Sequence, residues 1–214
     1  MARKDGGTVG IKTAKFALLR DDGTVDPTFG DNGVYTVSSD KDGGMTTANI
    51  SGLGQSVQRV WGNNQNVETS YGKAQPSISL GSNFLSKDIK NRLLGRTKLS
   101  NGAWSLEGDP QSTLVALDVV SSDSGNNDVH FGFKKGHLTT GDVNLQTSNE
   151  NQSRQADSMT YTPINSGDDD DGMEIGWTGD TSFDINKFLS DIFPSSDNNG
   201  NTQSNLSNKT QTSE

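Results

Sequence analysis

The chain has 214 residues, of which 29% are apolar, with 25 glycines, 5 prolines and a formal net charge of −9. Leu, Ile, Val and Phe together number 43, which is thin for an ordinary core, and no apolar run approaches the about 18 residues of a membrane span, so a membrane protein and a large helical bundle are excluded. The first 166 residues hold 16 basic and 17 acidic side chains and the rest hold 2 and 10; a near-neutral body with an acidic last quarter argues against general nucleic-acid binding.

Residues 1–10 are polar and glycine-rich and read as a flexible arm. Residues 11–19 read as a strand, with Ala14, Phe16 and Leu18 on one face. Residues 20–33 are dense in Asp, Gly and Asn and read as turns, followed by short strands at 34–38 and 45–50. The stretch Asp40 to Gly54 has few sizeable apolar residues and reads as a long polar loop that orders on assembly. Residues 56–61 form a strand ending in the turn Gly62-Asn63-Asn64. Residues 73–80 alternate, and Pro76, which cannot donate to a ladder, places that strand at an edge or beside a bulge.

The spacing of Leu85, Ile89 and Leu93 predicts a helix over 83–94, with Ser82 or Ser86 as its cap and Gly95 as its stop. Residues 113–121 are apolar on both faces and read as a central strand. Strands follow at 129–134, with Val129, Phe131 and Phe133 inward, and at 138–147; Met159 and Tyr161 mark another before Pro163. An apolar island at 173–193 carries Trp177, Phe183, Phe188 and Phe193. It is expected to dock on its own or a neighbouring subunit, with one or two helical turns in 184–192, and the remaining residues from 194 read as mobile. The chain divides into a β-sandwich domain with its arm, 1–166, and an acidic, partly disordered extension, 167–214.

Few residues carry chemistry. No P-loop, nucleophile elbow or dinucleotide fingerprint occurs, and cysteine is absent. That absence fits an intracellular origin, or stability drawn from assembly. No apolar stretch near Met1 reads as a secretory signal. His130 and His137 read as surface histidines, His130 on the polar side of its strand. The run Asp168 to Asp171 before Gly172 fails the EF-hand register and reads as a solvated acidic linker. The stretch Asp22 to Val34 is like one copy of a β-propeller-type repeat, but it stands alone and reads as a turn-rich connector. No catalytic, cofactor-binding or metal-binding residue is expected, and an enzyme is not predicted.

Certain segments in order do carry a likeness: Gly10 to Lys15, Val60-Trp61-Gly62-Asn63-Asn64, the alternating Ala74 to Leu80, a helix ending Leu93-Leu94-Gly95, Val129 to Gly136, and Tyr161-Thr162-Pro163. Across residues 8–165 this order resembles the major tail proteins of long-tailed phages of Gram-positive bacteria. The resemblance implies a mainly β fold, a sandwich or small barrel with one flanking helix, to which the acidic C-terminal extension is added. It implies a non-contractile tail tube of stacked homohexameric rings, with DNA passing through the lumen. Partners would be further copies, a tape measure protein and other tail components, with no membrane and no cofactor. The protein would sit in the virion tail after assembly in the host cytoplasm. The acidic segment from Gly167 is expected outside the lumen, where its charge is solvated. The alternative is a β-sandwich decoration or adhesin module binding carbohydrate or capsid; exposed aromatics among Trp61, Trp104 and Trp177 would favour it.

Overall fold

The computed structural model describes residues 7–55, 57–106, 113–141, 143, 147, 156–164 and 172–195. Its main sheet has the strand order β2-β1-β9-β10-β11-β6-β3, every pair antiparallel. The strands are β1 (Thr8–Leu18), β2 (Tyr35–Thr36), β3 (Met45–Ser51), β6 (Ser77–Ser82), β9 (Val115–Asp123), β10 (Asp128–Thr140) and β11 (Asp157–Pro163). A further strand, β12 (Met173–Trp177), pairs with residues 129–133 of β10. Two small hairpins stand apart from this sheet: β4 (Val57–Gly62) with β5 (Gln65–Tyr71), and β7 (Thr97–Lys98) with β8 (Trp104–Ser105). The helices are α1 (Ser39–Asp42), α2 (Lys87–Leu93) and α3 (Ile185–Ile192).

The sheet curls until β1 approaches β3, with no ladder between them among the described residues. The result is a small barrel with one open seam. Its interior is built from alternate residues: Ala14 and Phe16 of β1, Leu117 and Val119 of β9, Phe133 of β10, Met159 and Tyr161 of β11, and Ile78 and Leu80 of β6. The Tyr161 hydroxyl donates to the Val115 carbonyl at 2.8 Å, so the phenol is buried without an orphaned polar atom, and that burial raises its pKa. Leu85 and Leu93 join this core, with Ile89 beside them. Leu93 is fully buried, so Leu93→Ala is expected to cost about 2–4 kcal/mol, read as a lower urea midpoint at unchanged slope.

The second face of the sheet is also covered. Ala17 of β1 lies opposite Ala116 of β9, Gly132 of β10 lies opposite Asp118 two residues along on the same face, and α3 packs Phe188 and Ile192 over these small residues. A Cβ on Gly132 would lie 2.6 Å from Ile192 and 2.7 Å from Phe188, and one on Gly176 would lie 2.2 Å from Phe183. The helix can approach this closely because small residues form a track beneath it. Asp184 caps α3 by accepting from the backbone of Asn186 and Lys187. The Pro194 carbonyl accepts from the amide of Val25. The island expected to dock does so, as one strand and one helix.

Several expectations need correction. His130 is buried rather than on the surface, because α3 covers the face expected to be solvated; its Nδ1 lies 2.9 Å from Asp118. The short strand expected at 45–50 is present as β3, but the wider span Asp40 to Gly54 is not a loop: it holds most of α1 and all of β3, which joins the sheet beside β6 and packs Met45, Ala48 and Ile50 against the core, with a register shift between Met45 and Thr47. The strand expected at 73–80 starts at Ser77, after Pro76, and lies between β11 and β3 rather than at an edge. Proline placed just before the first ladder residue loses no bond. The helix runs 87–93 rather than 83–94. Leu85 precedes it, held by its amide donating to Asp157, and Ser86 caps without a side-chain bond. β1 begins at Thr8, inside the expected arm, with bulges beside Gly10. The strands expected at 129–134 and 138–147 are one, β10, continuous through an irregularity between Phe133 and Gly136; much of 141–147 and the whole run Asp168 to Asp171 lie outside the described residues.

Candidate assembly surface

The segment from Gly52 to Pro76 leaves the barrel between β3 and β6 and carries the β4–β5 hairpin. Its turn is built by Asn63 (φ 50°) and Asn64 (φ 60°). Two successive left-handed residues give the turn whose twist matches the flanking strands, and Asn tolerates that region better than most side chains. At the base, Gly52 (φ 72°) passes so close to Gln75 that a Cβ would sit 2.1 Å from its carbonyl oxygen. Only glycine lets the outgoing and returning chains cross there.

The hairpin pairs only with itself among the described residues. Val57, Val60, Trp61, Val67 and Tyr71 are 46–67% exposed. Leu53, in the connection from β3, is also exposed. One face, fixed by the pairs Val57 with Tyr71 and Arg59 with Thr69, is apolar with a cation; the pair Val60 with Glu68 lies on the other. A two-stranded ribbon with no sheet behind it is marginal in water, and a cluster of large apolar side chains on it marks a surface that another protein covers.

A second small hairpin forms its own two-stranded ladder. The β7–β8 hairpin follows α2 and turns through Asn101, whose side chain accepts from Ala103, and Gly102 (φ 83°). The Lys98 ammonium stands 5.4 Å from the Trp104 ring centroid and 3.0 Å from Asp88, and Leu99 and Leu106 are exposed. Between β1 and β3 the open seam forms a cleft of about 570 Å³, lined by Ile11, Ile50, Leu53, Val119 and Phe131 among others.

The remaining polar clusters hold the barrel together. Asp42 is fully buried and accepts from the Tyr35 hydroxyl at 2.7 Å and from the amides of Ser38 and Ser86. It thereby joins β2, α1 and the start of α2, and burial together with this carboxylate raises the Tyr35 phenol above its ordinary value. The stretch Asp22 to Val34 is structural: Asp22 and Asp26 each accept from the amide and hydroxyl of the threonine two residues on. Phe29 is buried under the Arg92 guanidinium, 5.1 Å from its centroid.

Asp123 closes the β9–β10 turn. The Asn127 side chain and amide hold its carboxyl below the ordinary carboxylate range, helped by the Trp177 indole, which donates at 2.9 Å, and by the Gly125 amide. A depressed carboxylate contributes stability that is present above its unfolded value and lost as pH falls through the folded one. Asp123→Asn is therefore expected to flatten the acid limb of the stability profile, checked by urea unfolding across the acid range. An unchanged acid limb would count against this role for the turn.

His130 and the partly buried Lys15 both reach the buried Asp118, at 2.9 and 3.5 Å; His137 is half-buried, with its Nδ1 unpaired among the described residues. No group of three side chains able to hold a metal occurs among the described residues, and no helix among them is long and apolar enough to cross a membrane. What sequence reasoning missed is the location of the exposed apolar residues. The signal was present in the β-alternation at 65–71, just past the two asparagines of the turn. A family model described as phage tail tube protein matches residues 1–203. No curated protein matches the chain significantly.

Proposed function

The chain belongs to the phage tail tube protein family, and on that premise we propose that it builds a non-contractile tail tube from stacked homohexameric rings. The family is structural: its members self-assemble into the tube of the virion tail together with other tail components. In the proposed tube the lumen passes DNA during ejection. A tape measure protein lies inside before that, subunits assemble in the host cytoplasm, and the protein has no enzymatic role. The order of segments in the sequence favours a long-tailed phage of a Gram-positive host.

The observation that supports this reading is the β4–β5 hairpin, whose large apolar side chains are exposed and which pairs only with itself among the described residues, in a chain whose family match spans residues 1–203. A tube is a head-to-tail repeat, so each subunit needs two different surfaces, one for the copy ahead and one for the copy behind. A near-neutral body suits a channel that must not grip phosphates. The acidic run Asp168 to Asp171 belongs on the outside, where its charge keeps tubes from aggregating sideways, and the residues from 167 act as an extension of the body.

Negative-stain microscopy and analytical sedimentation of the purified full-length chain test the proposal. Rings with sixfold symmetry and tubes of constant bore are expected. A small species of fixed mass at every concentration would overturn it and favour a binding module.

A further inference from the structure

We infer that the apolar, basic face of the β4–β5 hairpin docks in a groove between β12 and α3 of a second copy. This deepens the assembly reading above and rests on it.

The groove holds about 420 Å³ and has Ile175, Phe183 and Phe188 along its floor. Ile175 is 61% exposed, although it lies on a strand paired to the main sheet. Glu174, Asp184 and Asp191 stand around it, with Lys187 the one cation among its lining residues. Two of these carboxylates are engaged: Glu174 lies 3.0 Å from Lys134, and Asp184 caps α3. Asp191 is different. It sits in the last turn of α3, exposed, with no ion pair among the described residues. A carboxylate there faces the negative end of the helix dipole, the wrong terminus for its charge. A local rule broken without compensation inside the chain points to a partner outside it.

The hairpin supplies the complement. Val57, Tyr71, Arg59 and Thr69 share one face, and Arg59 makes no ion pair among the described residues. Glu68, the hairpin's one carboxylate, lies on the opposite face. A cation beside an apolar pair matches a carboxylate beside an apolar floor. The β1–β3 seam is larger, but it is lined by no charged side chain. Seating this face there would bury the guanidinium without a counter-ion, whereas the groove provides Asp191.

The test uses the full-length chain, with tubes measured by sedimentation and microscopy. Arg59→Glu and Asp191→Lys are each expected to raise the concentration needed for tubes about tenfold or more, and the two together to restore it. Both positions are exposed, so the subunits should stay folded, with an unchanged unfolding midpoint. Single variants that assemble like the parent chain overturn the inference. So do two blocked singles whose combination stays blocked.

Replacing residues 57–71 by a short Gly-Ser turn separates this inference from the broader reading. If that chain fails to assemble while Arg59→Glu assembles normally, the hairpin is an assembly element and only the groove contact is overturned. Because the chain has no cysteine, Thr69→Cys with Ile175→Cys adds a direct readout. A short bis-maleimide should then give a ladder of linked subunits from assembled tubes. Tubes that yield no linked subunits overturn the contact.

Discussion

Replacing the β4–β5 hairpin by a short turn is expected to abolish tubes while leaving a folded subunit. The ribbon forms no ladder with the barrel among the described residues, and its large apolar side chains are exposed. Its loss therefore removes little from the folded state, with an unfolding midpoint within about 2 °C of the parent chain. Assembly is where the loss falls. Covering Val57, Val60, Trp61, Val67 and Tyr71 removes several large side chains from water, each worth about 1.5–3 kcal/mol on full burial, and truncating even a few such anchors shifts association by orders of magnitude. Microscopy of the shortened chain checks this. Tubes of normal bore from it would show that the ribbon is decoration.

The largest effect on the subunit itself is expected from Asp118→Ala. Asp118 lies at the middle of three adjacent strands, fully buried, with the His130 Nδ1 at 2.9 Å on one side and the Lys15 ammonium at 3.5 Å on the other. Phe188 closes over the imidazole, with ring centroids 5.6 Å apart. Removing the carboxylate strands an imidazole and most of an ammonium beneath the apolar side of α3. Breaking a buried pair in this way costs about 3–5 kcal/mol. Lys15 keeps some contact with solvent, so the lower end, about 3 kcal/mol, is expected. The triple change Lys15→Met, Asp118→Leu, His130→Phe removes all three groups together and should lose less than the single change, because no polar group is left alone. Urea unfolding of the two variants decides it; a triple variant less stable than the single would mean that the row contributes net stability of its own.

The barrel was legible where one face alternates and the other is covered. Val115 to Val120, apolar on both sides, announced the central strand, and Phe16, Phe133 and Tyr161 marked the interior. The second layer was harder to read. Ala17, Ala116 and Gly132 look like neutral positions in a sequence, since a seat made for a helix is defined by the absence of side chains. With that seat unseen, His130 read as solvated. The short strand expected at 45–50 is β3, but the polarity of the span 40–54 made it read as part of a loop, because a strand with one solvated face needs only Met45, Ala48 and Ile50 to hold it. The family resemblance rested on the order of segments, and the match over residues 1–203 agrees with it. The assembly surface was legible only in part: Trp61 and the asparagine turn were seen, but exposure depends on what a ribbon is packed against, which no local pattern records.

The unlaced seam between β1 and β3 has a mechanical meaning. A fully hydrogen-bonded barrel is a rigid hoop, since any change of girth breaks a ladder. Here no ladder joins β1 to β3 among the described residues, so the two strands can part or slide by a fraction of a residue while every ladder stays intact. In the proposed tube, a stack of such subunits would bend by distributing small openings among many seams. The stiffness of that tube would then be set at the cleft that Ile11 and Ile50 line, and not by the strength of the backbone bonds around it.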